Sequence, residues 1–236
     1  ALLANVSAPR IDWLARASNN NGKAIVDCIR WGLLPTSSLL KNGWTTPTDL
    51  MKLLVDIWNV KGELCSCSLN ASPLLQYHVS GRQQDTDFGM IYDIFSVETE
   101  TLIRNNPGTT WLLNPPYNEG DSSTSATIMD KVIIWAGEQI DAATKENRDL
   151  IFIMVLPYKR GSPAYNGIQR LGMRKRFIVS FAANSCLSFD SGWAWRSSDS
   201  VWKGGRPSAA EFRVGMIEAA SVKGKERIAN TYTSLN

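Results

Sequence analysis

Seven consecutive apolar residues, Leu150-Ile151-Phe152-Ile153-Met154-Val155-Leu156, end at Pro157. An unbroken apolar run closed in this way marks a central strand buried on both faces. Thr110-Trp111-Leu112-Leu113 reads as a second strand, stopping at Asn114-Pro115-Pro116 because proline cannot donate to a ladder and restricts its predecessor. Between them, residues 123–146 carry the best helical pattern: Ser and Thr at the start, then Ile128, Val132, Trp135 and Ile140 near a 3.6-residue period. A helix over 47–58 follows from Thr46-Pro47-Thr48-Asp49 ahead of Leu50 to Trp58, where apolar positions again recur at helical spacing. Short strands are expected ending near Glu63-Leu64-Cys65 and around 74–79, with later ones at 176–181 and 212–217. The first 45 residues look irregular, apart from a helix-like stretch over 24–31 after the polar Ser-Asn-Asn-Asn-Gly at 18–22. Helices alternating with buried strands predict an α/β protein, an open twisted sheet with helices on both faces. Residues 1–45 read as a partly helical N-terminal extension and residues 46–236 as one domain.

Composition narrows the classes. The chain has 236 residues, 44% hydrophobic and 20% charged, which fits a globular protein and argues against disorder or coiled coil. No apolar run approaches the ~18–20 residues of a membrane-spanning helix. The opening Ala-Leu-Leu-Ala-Asn-Val reads as a processed or excised piece, with an upstream region or a partner subunit to be expected. Four cysteines are too few for a disulfide framework at this length, which points to a reducing compartment, cytoplasm or nucleus. One histidine, His78, leaves little for Ser-His or Cys-His catalysis, and Cys65-x-Cys67 lacks further ligands for zinc, so no metal is expected. The charge is divided: residues 1–156 hold 12 basic and 17 acidic side chains (−5), residues 157–236 hold 13 and 5 (+8). A basic C-terminal third suits a polyanion-binding face, although Lys and Arg also solvate ordinary surfaces.

The chemistry concentrates at Asn114-Pro115-Pro116-Tyr117. In an open α/β sheet, ligands bind beyond the carboxyl ends of the strands, where this tetrapeptide falls. Two prolines stiffen the turn, so the Asn114 side-chain oxygen and the Pro115 carbonyl can accept from one planar amino group while Tyr117 lies against the ring carrying it. An exocyclic amine of a nucleobase is a poor nucleophile because its lone pair is delocalised into the ring. Two acceptors gripping its hydrogens orient that lone pair toward an electrophile and stabilise the charge developing on nitrogen.

A strand ending in Asn-Pro-Pro-aromatic resembles the signature of adenine amino-methyltransferases, a Rossmann-like class using S-adenosylmethionine. More narrowly, Glu63-Leu64-Cys65-Ser66-Cys67-Ser68-Leu69-Asn70, then Asp85-Thr86-Asp87-Phe88-Gly89, then Asn114 to Tyr117 resemble in order and spacing the methyltransferase core of the phosphorylated-CTD-interacting-factor family. That family methylates the adenosine next to the mRNA cap. The likeness covers about residues 46–190. The resemblance implies S-adenosylmethionine as cofactor, catalytic roles for Asn114, Pro115, Pro116 and Tyr117, and cofactor contacts from Glu63, Cys65, Ser66, Asn70, Asp85 and Asp87. Asp85 lies 22 residues after Glu63, near the ~20-residue offset at which an acidic side chain takes ribose hydroxyls in Rossmann-type units.

Nucleic acid is the implied partner, RNA ahead of DNA. Lys159, Arg160, Arg174, Lys175 and Arg176 follow the 150–156 strand and are candidates to grip a phosphate backbone. Trp193, Trp195 and Trp202, interleaved with Arg196, Lys203 and Arg206, are stacking candidates, with core packing as the other reading. Three readings stand at this point: an RNA adenine methyltransferase, a DNA adenine methyltransferase as in phage- and virus-type modification enzymes, and a catalytically inactive RNA-binding or assembly subunit. The last is motivated by Cys65-Ser66-Cys67-Ser68, which stands where the family has Phe-Ala-Ser-Pro.

Overall fold

The computed structural model describes residues 6, 8–32, 44–46, 48–116, 127–157, 175–181, 188–191, 206–207 and 212–219. Two helices come first, α1 (Ala8–Ala17) and α2 (Gly22–Gly32), then β1 (Trp44–Thr45), α3 (Thr48–Trp58), β2 (Val60–Ser66) and β3 (Tyr77–Ser80). A 3-10 helix (Gln83–Phe88) leads to β4 (Ile91–Tyr92), α4 (Val97–Asn105), β5 (Thr110–Leu113), α5 (Ile128–Lys145) and β6 (Leu150–Pro157). The later strands are β7 (Lys175–Phe181), β8 (Ser188–Ser191), β9 (Arg206–Pro207) and β10 (Phe212–Ala219).

Seven strands form the main sheet in the order β4-β3-β2-β5-β6-β10-β7. The first five are parallel, and β10 runs antiparallel to both its neighbours. The order turns around between β2 and β5, a topological switch point where a crevice opens at the strand ends. An antiparallel strand inserted before the last one departs from the classic dinucleotide order, in which six parallel strands follow 3-2-1-4-5-6. A separate sheet joins β1, β8 and β9.

The apolar run at 150–156 sorts onto two faces with the period of two that strands impose. Ile151, Ile153 and Val155, with Leu112, pack under Met51, Leu54 and Trp58 of α3. Leu150, Phe152, Met154 and Leu156, with Trp111 and Leu113, pack under Val132, Trp135, Ala136 and Ile140 of α5, joined by Ile103 of α4. Each large apolar side chain buried this way contributes ~1.5–3 kcal/mol. Helix α5 starts at Ile128 rather than near 123, because Thr127 takes extended backbone and forms a capping box with Asp130.

The N-terminal region is more helical than its sequence suggests. Trp13 and Leu14 of α1 and Ala24, Cys28 and Ile29 of α2 pack with Cys67, Leu69 and Ala71 after β2 and with Phe88 and Met90. Helix α4 is likewise unsignalled: its buried residues are Thr99 and Ile103, so its apolar stripe is minimal and Ser96 capping the Thr99 amide marks its start.

Gly62 of β2 lies against the Trp111 ring of β5. It lies in register with Trp111, and a Cβ there would run into the Trp111 indole and stand 3.2 Å from Tyr77 Cβ. Trp111 is fully buried, so the ring has nowhere to yield. Gly62→Ala should therefore cost about 1–3 kcal/mol, read as a lower urea midpoint, and a second change, Trp111→Leu, should recover part of the loss. An unchanged midpoint in the single variant would contradict this packing.

Candidate cofactor and amine site

A cavity of about 500 Å³ lies at the carboxyl ends of the parallel strands, the position expected for a ligand in an open α/β sheet and a size ordinary for one. Successive strand ends furnish its walls. Cys65, Ser66, Cys67 and Asn70 come from the end of β2 and the turn after it, and Ser80, Gly81 and Arg82 from the end of β3. Tyr92 ends β4 and Asp93 and Phe95 follow it, and Asn114 and Pro116 follow β5. Ile128 and Lys131 reach it from the first turn of α5, and Trp31 from the end of α2. The proline corner and the Cys65–Asn70 segment, 49 to 44 positions apart in sequence, thus face one space.

The turn after β2 is built around Asn70, whose Oδ1 accepts the Cys67 amide at 2.7 Å. Cys65, Ser66 and Asn70 stand on the cavity wall. Ser66 Oγ is buried and has no hydrogen-bond partner among the described residues. Such an atom at a cavity wall is an exception that native structures seldom leave without a use. Burial raises the thiol pKa of Cys28 to about 11, of Cys67 to about 12 and of Cys65 further. They stay protonated at neutral pH, which makes them poor nucleophiles.

None of the three carboxylates expected to touch a cofactor lines this cavity. Asp85 has no exposed surface. Its Oδ1 accepts from Ser68 Oγ at 2.7 Å and Arg82 at 3.0 Å, while Oδ2 accepts from Ser80 Oγ at 2.6 Å and the Ser68 amide at 3.3 Å. All of those donors belong to the protein, so Asp85 shapes the cavity wall instead of grasping a ribose. Glu63 also points inward, accepting the Ser72 amide at 3.2 Å, and does not line the cavity. Asp87 is exposed on an adjoining cleft, on the far side of Arg82 and Trp31. The guanidinium of Arg82 sits 3.3 Å from the centre of the Trp31 ring, and this stacked pair borders both spaces.

At the corner, Asn114 and Pro116 are half-buried on the cavity wall and Pro115 is buried. Asn114 Nδ2 donates to Thr46 Oγ1 at 3.2 Å, tying the amide to a fully buried hydroxyl. Tyr117 lies outside the described residues, as do Lys159, Arg160, Arg174 and the three candidate tryptophans. Lys175 and Arg176 begin β7, whose register through β10 sets them level with 152–153, toward the amino ends of the parallel strands. Along β5 that level is Trp111 and Leu112, two to three residues before Asn114.

Sequence reasoning missed Trp31, Arg82, Tyr92, Asp93, Phe95 and Lys131. Asp93 adopts a left-handed backbone, φ 65°, immediately after β4, and its carboxylate accepts the Phe95 amide at 3.0 Å. A non-glycine residue held at positive φ beside a cavity is the one local clue, and it is a backbone property that the sequence does not display. Asp93, Lys131 and three aromatic rings give the cavity both charges and stacking surfaces. No family model and no curated protein matches the chain.

Glu63 and His78 face each other in strand register and shift oppositely. Burial holds the Glu63 carboxyl up at about 7 and the His78 imidazole down at about 4. Folded Glu63 keeps a proton that the unfolded chain releases, so its contribution to stability is lost as pH rises from about 4.5 to 7. Folded His78 refuses a proton that the unfolded chain takes up, so its contribution is lost as pH falls from about 6.5 to 4. Over the shared window the two slopes oppose. Glu63→Gln, which can still accept the Ser72 amide, should gain stability relative to the parent between pH 4.5 and 8 in urea titrations. Parallel pH curves for the two proteins would contradict a protonated buried Glu63.

Proposed function

We propose that the protein transfers a methyl group from S-adenosylmethionine to the 6-amino group of adenine in nucleic acid, RNA ahead of DNA. The observation that carries this reading is that Asn114 and Pro116, at the carboxyl end of β5, share one cavity with the Cys65–Asn70 segment after β2. A methyl-transfer site needs the amine grip and the cofactor to face one space. When bound, S-adenosylmethionine supplies an electrophilic methyl on a sulfonium sulfur.

The chain's own residues do the rest. Asn114 Oδ1 and the Pro115 carbonyl accept the two hydrogens of the amine, and the double proline keeps both acceptors from drifting. As positive charge develops on nitrogen, both oxygens stabilise it without reorganising. Tyr117, next in sequence, is the ring expected to cover the base. On the cofactor side, Ser66 offers an unsatisfied hydroxyl, Tyr92 and Phe95 offer partly exposed rings, and Asp93 and Lys131 offer an acceptor and a cation. These suit a zwitterionic ligand carrying a purine. An adenine within a duplex does not reach such a cavity, so a single-stranded or flipped nucleotide is the substrate.

A second reading rests on one specific observation. Glu63 and Asp85, the carboxylates assigned to the cofactor by resemblance, are both spent on internal hydrogen bonds. A protein that keeps this frame without binding the cofactor would act as an RNA-binding or assembly subunit.

Calorimetric titration with S-adenosylhomocysteine separates the two readings, and saturable heat is expected. Asn114→Ala should lower methyl transfer to adenine oligonucleotides by roughly 100-fold or more while leaving that heat nearly unchanged. Silence at millimolar ligand favours the non-catalytic subunit, and full turnover by Asn114→Ala refutes the amine grip. Comparing capped RNA, uncapped RNA and DNA fixes the substrate.

A further inference from the structure

Two adjacent hydroxyls just ahead of α3 touch both halves of this site. Thr46 is fully buried and its Oγ1 accepts from Asn114 Nδ2 at 3.2 Å. Thr45 is buried and its Oγ1 donates to the Asn70 carbonyl at 3.1 Å. Asn70 in turn closes the turn after β2 through the Cys67 amide. Asn114 and Asn70 both line the cavity. We propose that Thr45 and Thr46 are positioning residues, a clasp that sets the amine-gripping Asn114 against the cofactor-side turn. The proposal rests on the methyl-transfer reading for its catalytic use.

The physical case is one of registration. Asn114 follows β5 and Asn70 follows β2, and past the strand ends the ladder between β2 and β5 no longer dictates where either side chain stands. In methyl transfer the amine must meet the methyl in line, and an error near 1 Å costs on the order of 100-fold in rate. Thr45 ends β1 and Thr46 is the residue after it, and their hydroxyls hold two different walls while their separation stays fixed by covalent geometry. Their backbone comes from outside the main sheet: β1 pairs with β8, with Thr45 opposite Asp190. The clasp is therefore independent of the ladder that carries the two walls.

Thr46→Val keeps shape and burial but removes the acceptor. It should lower kcat by roughly 10- to 100-fold with S-adenosylhomocysteine affinity changed less than twofold, and Thr46→Ser should restore most of the rate. Thr45→Val should act in the other direction, weakening S-adenosylhomocysteine several-fold with a smaller effect on kcat at saturation. A role confined to stability would move all three quantities together and would not be rescued by serine alone. The tether is also read without turnover, from the Asn114 side-chain amide signal in a 15N spectrum, assigned by its loss in Asn114→Asp. That signal should shift in Thr46→Val and return in Thr46→Ser. An unshifted signal, or unchanged kcat in Thr46→Val, overturns the proposal. A shifted signal in a parent protein that transfers no methyl refutes the methyl-transfer reading and with it the catalytic use of the clasp.

Discussion

Asp85 is enclosed without any exposed surface, so its charge must be met by neighbours alone. Four donors meet it: the hydroxyl and amide of Ser68, the hydroxyl of Ser80 and the guanidinium of Arg82. Those donors come from the turn after β2, the end of β3 and the residue leading into the 3-10 helix, which are three walls of the cavity. Ser68 Oγ also lies 2.9 Å from Cys28 Sγ on α2, and Arg82 lies flat on Trp31. One buried carboxylate thereby fixes the relative positions of β2, β3, α2 and the 3-10 helix. Buried charge networks are costly unless complete, and this one is complete, which is why the walls it joins form a shaped surface.

The same network explains the division of labour in the site. Asp85, engaged on both oxygens, cannot also serve a ligand, and Glu63 is buried away from the cavity with the Ser72 amide as its donor. The groups facing the cavity are Ser66, Asp93 and Asn114, at or just past strand ends, and Lys131 from the first turn of α5. The α3 and α5 layers hold the sheet from both faces, with Leu112 and Ile153 buried under α3 and Trp111 and Phe152 under α5.

Much of the frame was legible because its signals were strong. The 150–156 run, the Thr110–Leu113 strand and the helices at 48–58 and 128–145 carry clear periods or hard stops. The short elements lacked both: β1 and β4 have two residues each, α4 buries little, and the apolar positions of α1 are interrupted by Arg10, Asp12 and Arg16. At the site, Asn114 and Pro116 were found because proline pairs write their geometry into the sequence. The direction in which Glu63 and Asp85 face was not, because a carboxylate's burial depends on donors far away in the chain. Trp31, Arg82 and Asp93 come from separate elements that meet only after folding.

The antiparallel β10 has a consequence for biosynthesis. Until residues 212–219 leave the ribosome, β6 has no partner on one side. Its seven apolar residues then form an open hydrophobic edge, the kind that templates aggregation. Some sixty residues must be synthesised before that edge can close, so the strand order itself sets how late in translation β6 is covered.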